Sequence, residues 1–124
     1  MMKRLTKHLL NFFYPNRCPA CQQFLTAEGL LCDTCANALP LAEDKYCRRC
    51  GKPDCMCESL QPAYTHAIVC AAYQGGTVPA ILGLKNSSNT NFAYFSAQLI
   101  AERLLAAEIP LPDLVTSVPM HPSK

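Results

Sequence analysis

Four closely spaced pairs of cysteines dominate the first half of this chain. Three pairs have the spacing C-x-x-C and the fourth has the spacing C-x-C. A C-x-x-C segment forms a tight turn that directs two sulfur atoms toward one point, so two such turns offer four sulfurs to one metal ion. The pairs are Cys18 and Cys21, Cys32 and Cys35, Cys47 and Cys50, and Cys55 and Cys57. This spacing restricts residues 18–57 to a small fold built on metal sites or disulfides.

Nine cysteines in 124 residues suit a disulfide framework, structural zinc or an iron–sulfur cluster. Disulfides need an oxidising compartment and hence a secretory leader. The chain begins with Lys3, Arg4 and Lys7 before an apolar patch, but the patch is short and no small-x-small cleavage site follows it. The spacings also differ from those of ferredoxins. The sequence therefore favours zinc and a cytoplasmic location, where thiols stay reduced.

Residues 1–16 are predicted to form a short amphipathic helix. Leu5, Leu9, Phe12 and Phe13 lie on one face of that helix. No apolar run approaches the ~20 residues that a membrane-spanning helix needs. We therefore expect the helix to pack on its own protein, and we predict no membrane span.

Sequential use of the pairs predicts a double zinc ribbon over residues 17–58 that binds two zinc ions. One site would consist of Cys18, Cys21, Cys32 and Cys35, and the other of Cys47, Cys50, Cys55 and Cys57. An interleaved use of the four pairs stays open.

Two features depart from the usual zinc knuckle. The residue after a C-x-x-C pair often has a positive φ angle, which suits glycine. Gly51 follows the third pair, but Gln22 follows the first, so the first turn is expected to be less typical. The closing pair of the second site, Cys55 and Cys57, encloses one residue instead of two. This makes the second site the weaker prediction.

Basic residues flank the cysteines. Cations near the sulfurs would favour the thiolate form and so favour metal binding. The alternative is contact with nucleic-acid phosphates, but two loaded sites would turn the formal net charge of +2 negative. Single-stranded DNA is therefore a weakly supported partner. The basic residues are Arg17, Lys45, Arg48, Arg49 and Lys52.

The chain changes character after a linker at residues 58–63. An apolar run predicts a buried strand at 64–73, and Gln-Gly-Gly predicts a turn at 74–76. Two helices are predicted at 77–84 and 92–107, and a second strand at 114–118. Cys70 lies inside the first run, where a buried thiol is expected. Strand, helices and strand form the opening of an α/β domain.

The order of these parts resembles the ComF/GntX family of competence-associated, phosphoribosyltransferase-like proteins. Besides the cysteine pairs, the resemblance rests on Tyr14-Pro15, on residues 47–53 (Cys-Arg-Arg-Cys-Gly-Lys-Pro), 73–75 (Tyr-Gln-Gly) and 81–85 (Ile-Leu-Gly-Leu-Lys), and on residues 113–122 (Asp-Leu-Val-Thr-Ser-Val-Pro-Met-His-Pro). It implies an α+β fold: a double zinc ribbon at the N-terminus, then a phosphoribosyltransferase-like α/β segment at 64–124. It also implies a link to the processing of transforming DNA.

The sequence lacks the parts that such a transferase would need. No paired acidic residues precede a Thr-Gly-Ser stretch, and no Arg-Gly-Phe-Asn-Gln segment follows residues 118–122. We therefore expect an incomplete transferase domain that is not active alone, and we assign no catalytic or cofactor-binding residue. Lys85 and His121 are read as surface and turn residues.

Two hypotheses follow. The chain is either a binding module that contacts a protein or DNA, or one piece of an enzyme whose phosphoribosyl pyrophosphate-binding half is lost or encoded separately. In both, zinc chelation is expected to unfold residues 18–57 and to disturb the later helices less.

Overall fold

A computed structural model of the chain describes residues 10, 12–42, 45–87 and 89–118. Four helices lie within these residues: α1 at Asp33–Ala38, α2 at Cys57–Leu60, α3 at Thr77–Asn86 and α4 at Asn91–Ala106. Most of the helix expected at 1–16 lies outside the described residues, although Leu10, Phe12 and Phe13 are helical. None of the described helices combines the length and the apolar character that a membrane crossing requires.

The described residues contain isolated antiparallel bridges in place of regular strands. One bridge joins Arg17 to Phe24, and the other joins Leu41 to Ala71. The strands predicted at 64–73 and 114–118 are therefore not formed, and the strand–helix–helix–strand order is corrected to a pair of helices. Residues 114–118 are exposed and irregular. With no neighbouring strand in the described residues, their backbone has no ladder to join.

The two long helices pack against each other. Pro79 lies in the first turn of α3, where its missing N–H leaves no intrahelical bond unmade. Helix α3 ends where Ser87 N–H donates to the Gly83 carbonyl. Helix α4 runs close to its predicted bounds and ends before Glu108, which has a φ of 53°.

The buried core joins these helices to the first cysteine segment. Leu39, Ala80 and Phe92 are its buried residues, and they come from the chain after α1, from α3 and from α4. Partly buried neighbours packed against them are Ala20, Leu31, Ile81, Leu84 and Phe95. The cysteine segment and the helical pair therefore share one core.

Candidate metal centres

The first metal centre brings together the four cysteines nearest the N-terminus. The sulfur atoms of Cys18, Cys21, Cys32 and Cys35 all lie within 4.8 Å of one another. The sulfurs of Cys21 and Cys32 are 3.7 Å apart. We call this group site 1. The sequential use of the pairs, and not the interleaved one, is the arrangement that the structure shows.

Hydrogen bonds of the backbone shape the turn that carries Cys18. Cys18 N–H donates to the Gln23 carbonyl, and Gln22 N–H donates to the Cys18 carbonyl, both at 2.8 Å. Gln22 has a φ of 66°. The expectation of an atypical first turn is therefore wrong: glutamine adopts the left-handed backbone that glycine usually supplies.

A short helix delivers the other two sulfurs of site 1. Cys32 caps α1, and its sulfur accepts a hydrogen bond from Cys35 N–H at 3.4 Å. Asp33 lies in the first turn of this helix, where a carboxylate is favoured by the helix dipole. The backbone turn and the start of α1 thus place their four sulfur atoms around a single point.

The second metal centre, site 2, repeats this construction. Its sulfur atoms, from Cys47, Cys50, Cys55 and Cys57, also lie within 4.8 Å of one another. Cys47 N–H donates to the Lys52 carbonyl and Gly51 N–H donates to the Cys47 carbonyl, both at 2.8 Å. Gly51 has a φ of 69°. The turn at residues 47–52 therefore matches the turn at residues 18–23.

The C-x-C pair of site 2 reaches the same point as a C-x-x-C pair. Cys57 is the first residue of α2, and its sulfur lies 3.7 Å from the sulfur of Cys47. The shorter spacing that weakened the prediction is therefore compatible with a four-sulfur group.

The sulfur distances fit zinc. Zinc–thiolate bonds are about 2.3 Å long, so two sulfurs on one tetrahedral zinc ion lie about 3.8 Å apart. The observed distances of 3.7 Å match that separation. A disulfide would need about 2.05 Å, and all nine cysteines are free thiols. The chain thus has two groups of four cysteines that are compatible with two zinc ions.

The first cysteine of each backbone turn is poised to be a thiolate. Burial raises the pKa of Cys18, but N–H groups of Cys32, Cys21 and Ala20 outweigh it and lower the pKa to about 6. Hydrogen bonds from the backbone of Cys50 and Arg49, with a contribution from the Cys55 side chain, lower the pKa of Cys47 to about 6. Both turns therefore stabilise negative charge on the sulfur that they enclose.

The closing cysteines behave in the opposite way. Burial, followed by the nearby sulfur of Cys32, raises the pKa of Cys35. The sulfur of Cys55, followed by burial, raises the pKa of Cys57 to about 12. Four thiolates crowded together repel one another, so a divalent cation is what makes the fully ionised groups favourable.

Asn16, which sequence reasoning missed, ties site 1 to α4. Its side-chain amide donates to the carbonyls of Thr26 at 2.9 Å and Gly29 at 2.7 Å. Its side-chain oxygen accepts from the Asn91 amide at 2.6 Å, at the start of α4. An asparagine before a cysteine pair carries no spacing signal, so only the folded chain shows this role.

Residues 64–69 pack against site 2. Ala67 N–H donates to the Arg48 carbonyl at 2.7 Å, and the Tyr64 hydroxyl donates to the Cys50 carbonyl at 3.3 Å. A Cβ atom built on Gly51 would lie 3.2 Å from the Cβ of Ala67. The first part of the apolar run that predicted a sheet strand therefore covers the second backbone turn.

Cys70 and Arg17 belong to neither of the two sulfur groups. Cys70 belongs to neither site and is partly buried, and this burial raises its pKa. The guanidinium of Arg17 stacks 4.2 Å from the centre of the Phe24 ring and donates to the Gln22 carbonyl at 3.1 Å. The Arg17 side chain thus supports the first turn by donating to the backbone of that turn.

Comparison with known proteins agrees with this geometry. The sequence model of the double zinc ribbon domain matches residues 9–73, just over half of the chain. The match includes all eight cysteines of the two sites and extends past the ribbon boundary expected at residue 58. No curated protein and no solved structure matches the chain significantly.

Proposed function

Because the chain belongs to the double zinc ribbon family, we propose that it is a zinc-stabilised binding module in which both metal ions are structural. The observation that carries this proposal is the make-up of the two sites, each of which offers four cysteine sulfurs. Four protein ligands fill the tetrahedral shell of zinc, whereas catalytic zinc keeps one position open for water or substrate. The eight cysteines of sites 1 and 2 are the proposed ligands.

The small core supports a structural role for zinc. Apart from the cysteines, the buried hydrophobic residues of the described chain are Leu39, Ala42, Ala80 and Phe92. So few buried side chains supply little folding free energy, and small domains of this kind depend on bound metal. Zinc would therefore hold the ribbons in shape for binding.

Metal analysis of the purified full chain tests this proposal. We expect close to two zinc ions per chain, and we expect chelation to remove secondary structure that returns when zinc is added. Absence of zinc, or an unchanged far-ultraviolet circular dichroism spectrum after chelation, would contradict a structural role.

A more specific function rests on the resemblance to the ComF/GntX family. The order of the motifs supports a binding module linked to competence and to the processing of transforming DNA in the cytoplasm. The nine free cysteines suit a reducing compartment. Its partner would be another protein, or single-stranded DNA. Fluorescence anisotropy with a labelled oligothymidylate tests the second partner, since binding should weaken steeply with added salt.

The alternative is that the chain is the N-terminal piece of a phosphoribosyltransferase-like enzyme whose phosphoribosyl pyrophosphate-binding half is encoded separately or lost. The same motif order supports it, and the absence of a phosphate-binding loop argues that this chain does not act alone. Calorimetric titration with magnesium phosphoribosyl pyrophosphate should give no saturable signal. Saturable binding at micromolar ligand would favour a complete transferase site.

A further inference from the structure

A cavity of about 410 Å³ lies between site 2 and the end of α4. Pockets of this size take small organic ligands. One wall is the segment at residues 66–69, which is fixed to the second backbone turn through the hydrogen bond from Ala67 to Arg48. The opposite wall is the last turn of α4 with Ala107 and Ile109. The cavity therefore lies beside site 2 but does not include any of its four cysteines in its lining.

Two arginines from different elements line this cavity. Arg48 comes from the turn at residues 47–52, and Arg103 comes from the last turn of α4. No carboxylate of the described residues forms an ion pair with either guanidinium. The described residues that line the cavity include no acidic side chain. Two guanidiniums that line one cavity, without a carboxylate partner among the described residues, favour a ligand with a doubly charged anionic group.

The rest of the lining is apolar or aromatic. Ile68, Val69 and Ile109 offer aliphatic surface, and Tyr46 and His66 offer rings. Such a lining stabilises the body of a ligand through burial and stacking, while the arginines bind its charged end. A simple inorganic anion would leave this apolar surface in contact with water.

We propose that this cavity binds a phosphomonoester that carries a ring, of about the size of a mononucleotide. A phosphomonoester has a charge near −2 at neutral pH, which two guanidiniums match, whereas a carboxylate has only half that charge. Arg48 follows a ligand of site 2, so the position of its guanidinium depends on the turn that zinc closes. Loss of zinc from site 2 should therefore also abolish binding.

The same chemistry occurs in a free nucleotide and at the 5′-phosphorylated end of a nucleic-acid strand. The probes are thymidine 5′-monophosphate and a 5′-phosphorylated tetrathymidylate, each paired with its unphosphorylated form. Isothermal titration of the zinc-loaded full chain should show saturable binding of a phosphorylated probe and at least about tenfold weaker binding of its partner. If only the tetranucleotide shows this dependence, the ligand is a strand end; if the mononucleotide shows it, a free nucleotide suffices.

Charge-matched variants locate the site. Arg103→Gln and Arg48→Gln should each weaken binding of the phosphorylated probe by about tenfold or more. Arg49→Gln removes the same charge beside Arg48 but does not line the cavity, so it should change affinity by less than about twofold. Zinc content confirms that each variant is folded. Equal affinity for phosphorylated and unphosphorylated probes, no binding of any probe, or equal losses in the Arg49 and Arg103 variants would overturn the proposal.

Discussion

Gln22 and Gly51 occupy the same position in two equivalent backbone turns, with φ angles of 66° and 69°. Each donates its N–H to the carbonyl of the cysteine four residues earlier, at 2.8 Å. The left-handed region costs a residue with a Cβ atom about 1–2 kcal/mol, and glycine is free of this cost. The first turn therefore stores strain that the second turn avoids.

The strain predicts opposite effects of substitutions at the two turns. Gln22→Gly should stabilise the zinc-loaded chain by up to about 1 kcal/mol, because relief of strain exceeds the extra entropy of the unfolded chain. Gly51→Ala should destabilise it by about 1–2 kcal/mol or more, because its Cβ would also press against Ala67. Denaturant unfolding measures both effects.

Gly75→Ala serves as the control for those substitutions. Gly75 has a φ of 55°, but a Cβ atom there would meet nothing within 4 Å. Its cost should therefore be that of the backbone alone and smaller than the cost at Gly51. Equal costs at Gly51 and Gly75 would show that packing against residues 64–73 contributes nothing.

Removal of single cysteines should separate ligands from the remaining thiol. Cys55→Ser should lower the zinc content from about two ions to about one, because site 2 loses a ligand. Cys70→Ser should keep both ions, because Cys70 lies outside both groups. Mass spectrometry under native conditions counts the ions. Two ions in the Cys55 variant would mean that site 2 closes without the C-x-C pair.

Asn16 is expected to be a large contributor to stability among the polar residues. Asn16→Ala removes two hydrogen bonds to carbonyls and one from Asn91, and it should cost about 2–3 kcal/mol. Asn91→Ala removes the bond to Asn16 and a longer one, of 3.5 Å, to the Arg17 carbonyl. It keeps the two carbonyl bonds of Asn16, so it should cost about 1 kcal/mol. Unfolding by urea compares the two. If Asn91→Ala costs as much as Asn16→Ala, the carbonyl bonds of Asn16 add no stability.

Zinc at site 1 should control the helicity of α3 and α4. Ala20, Leu31 and Leu39 lie near site 1 and pack with Ala80 and Phe92 in one core. Cys21→Ser should therefore reduce the helical circular dichroism signal more than Cys55→Ser does. The sequence suggested that chelation would disturb the later helices less than residues 18–57, and equal spectra of the two variants would favour that view.

The cysteine spacing predicted the metal centres, and the apolar periodicity predicted the two long helices. The prediction of a sheet strand from the apolar run at 64–73 was wrong. The cysteine positions carry strong information, because metal geometry restricts them. An apolar run shows only that a segment is covered, and not whether a sheet covers it. Here the turn at residues 47–52 covers the first part of the run, which Ala67 and Tyr64 bring into contact with it. Residues 70–72 pair with residues 40–42 instead. Likewise, a glutamine does not indicate a positive φ angle, so the sequence could not show that the closed site 1 requires this angle at Gln22.

The shared core of Leu39, Ala80 and Phe92 also determines how this protein can be engineered. A helical hairpin cut out at residues 77–106 would leave Phe92 without Leu39 and would expose the face that Ala20 and Leu31 cover. Grafting that hairpin onto another scaffold would therefore require a replacement for the ribbon surface. The smallest transplantable unit extends from Asn16 to the end of α4, so a graft of the helices must include both metal centres.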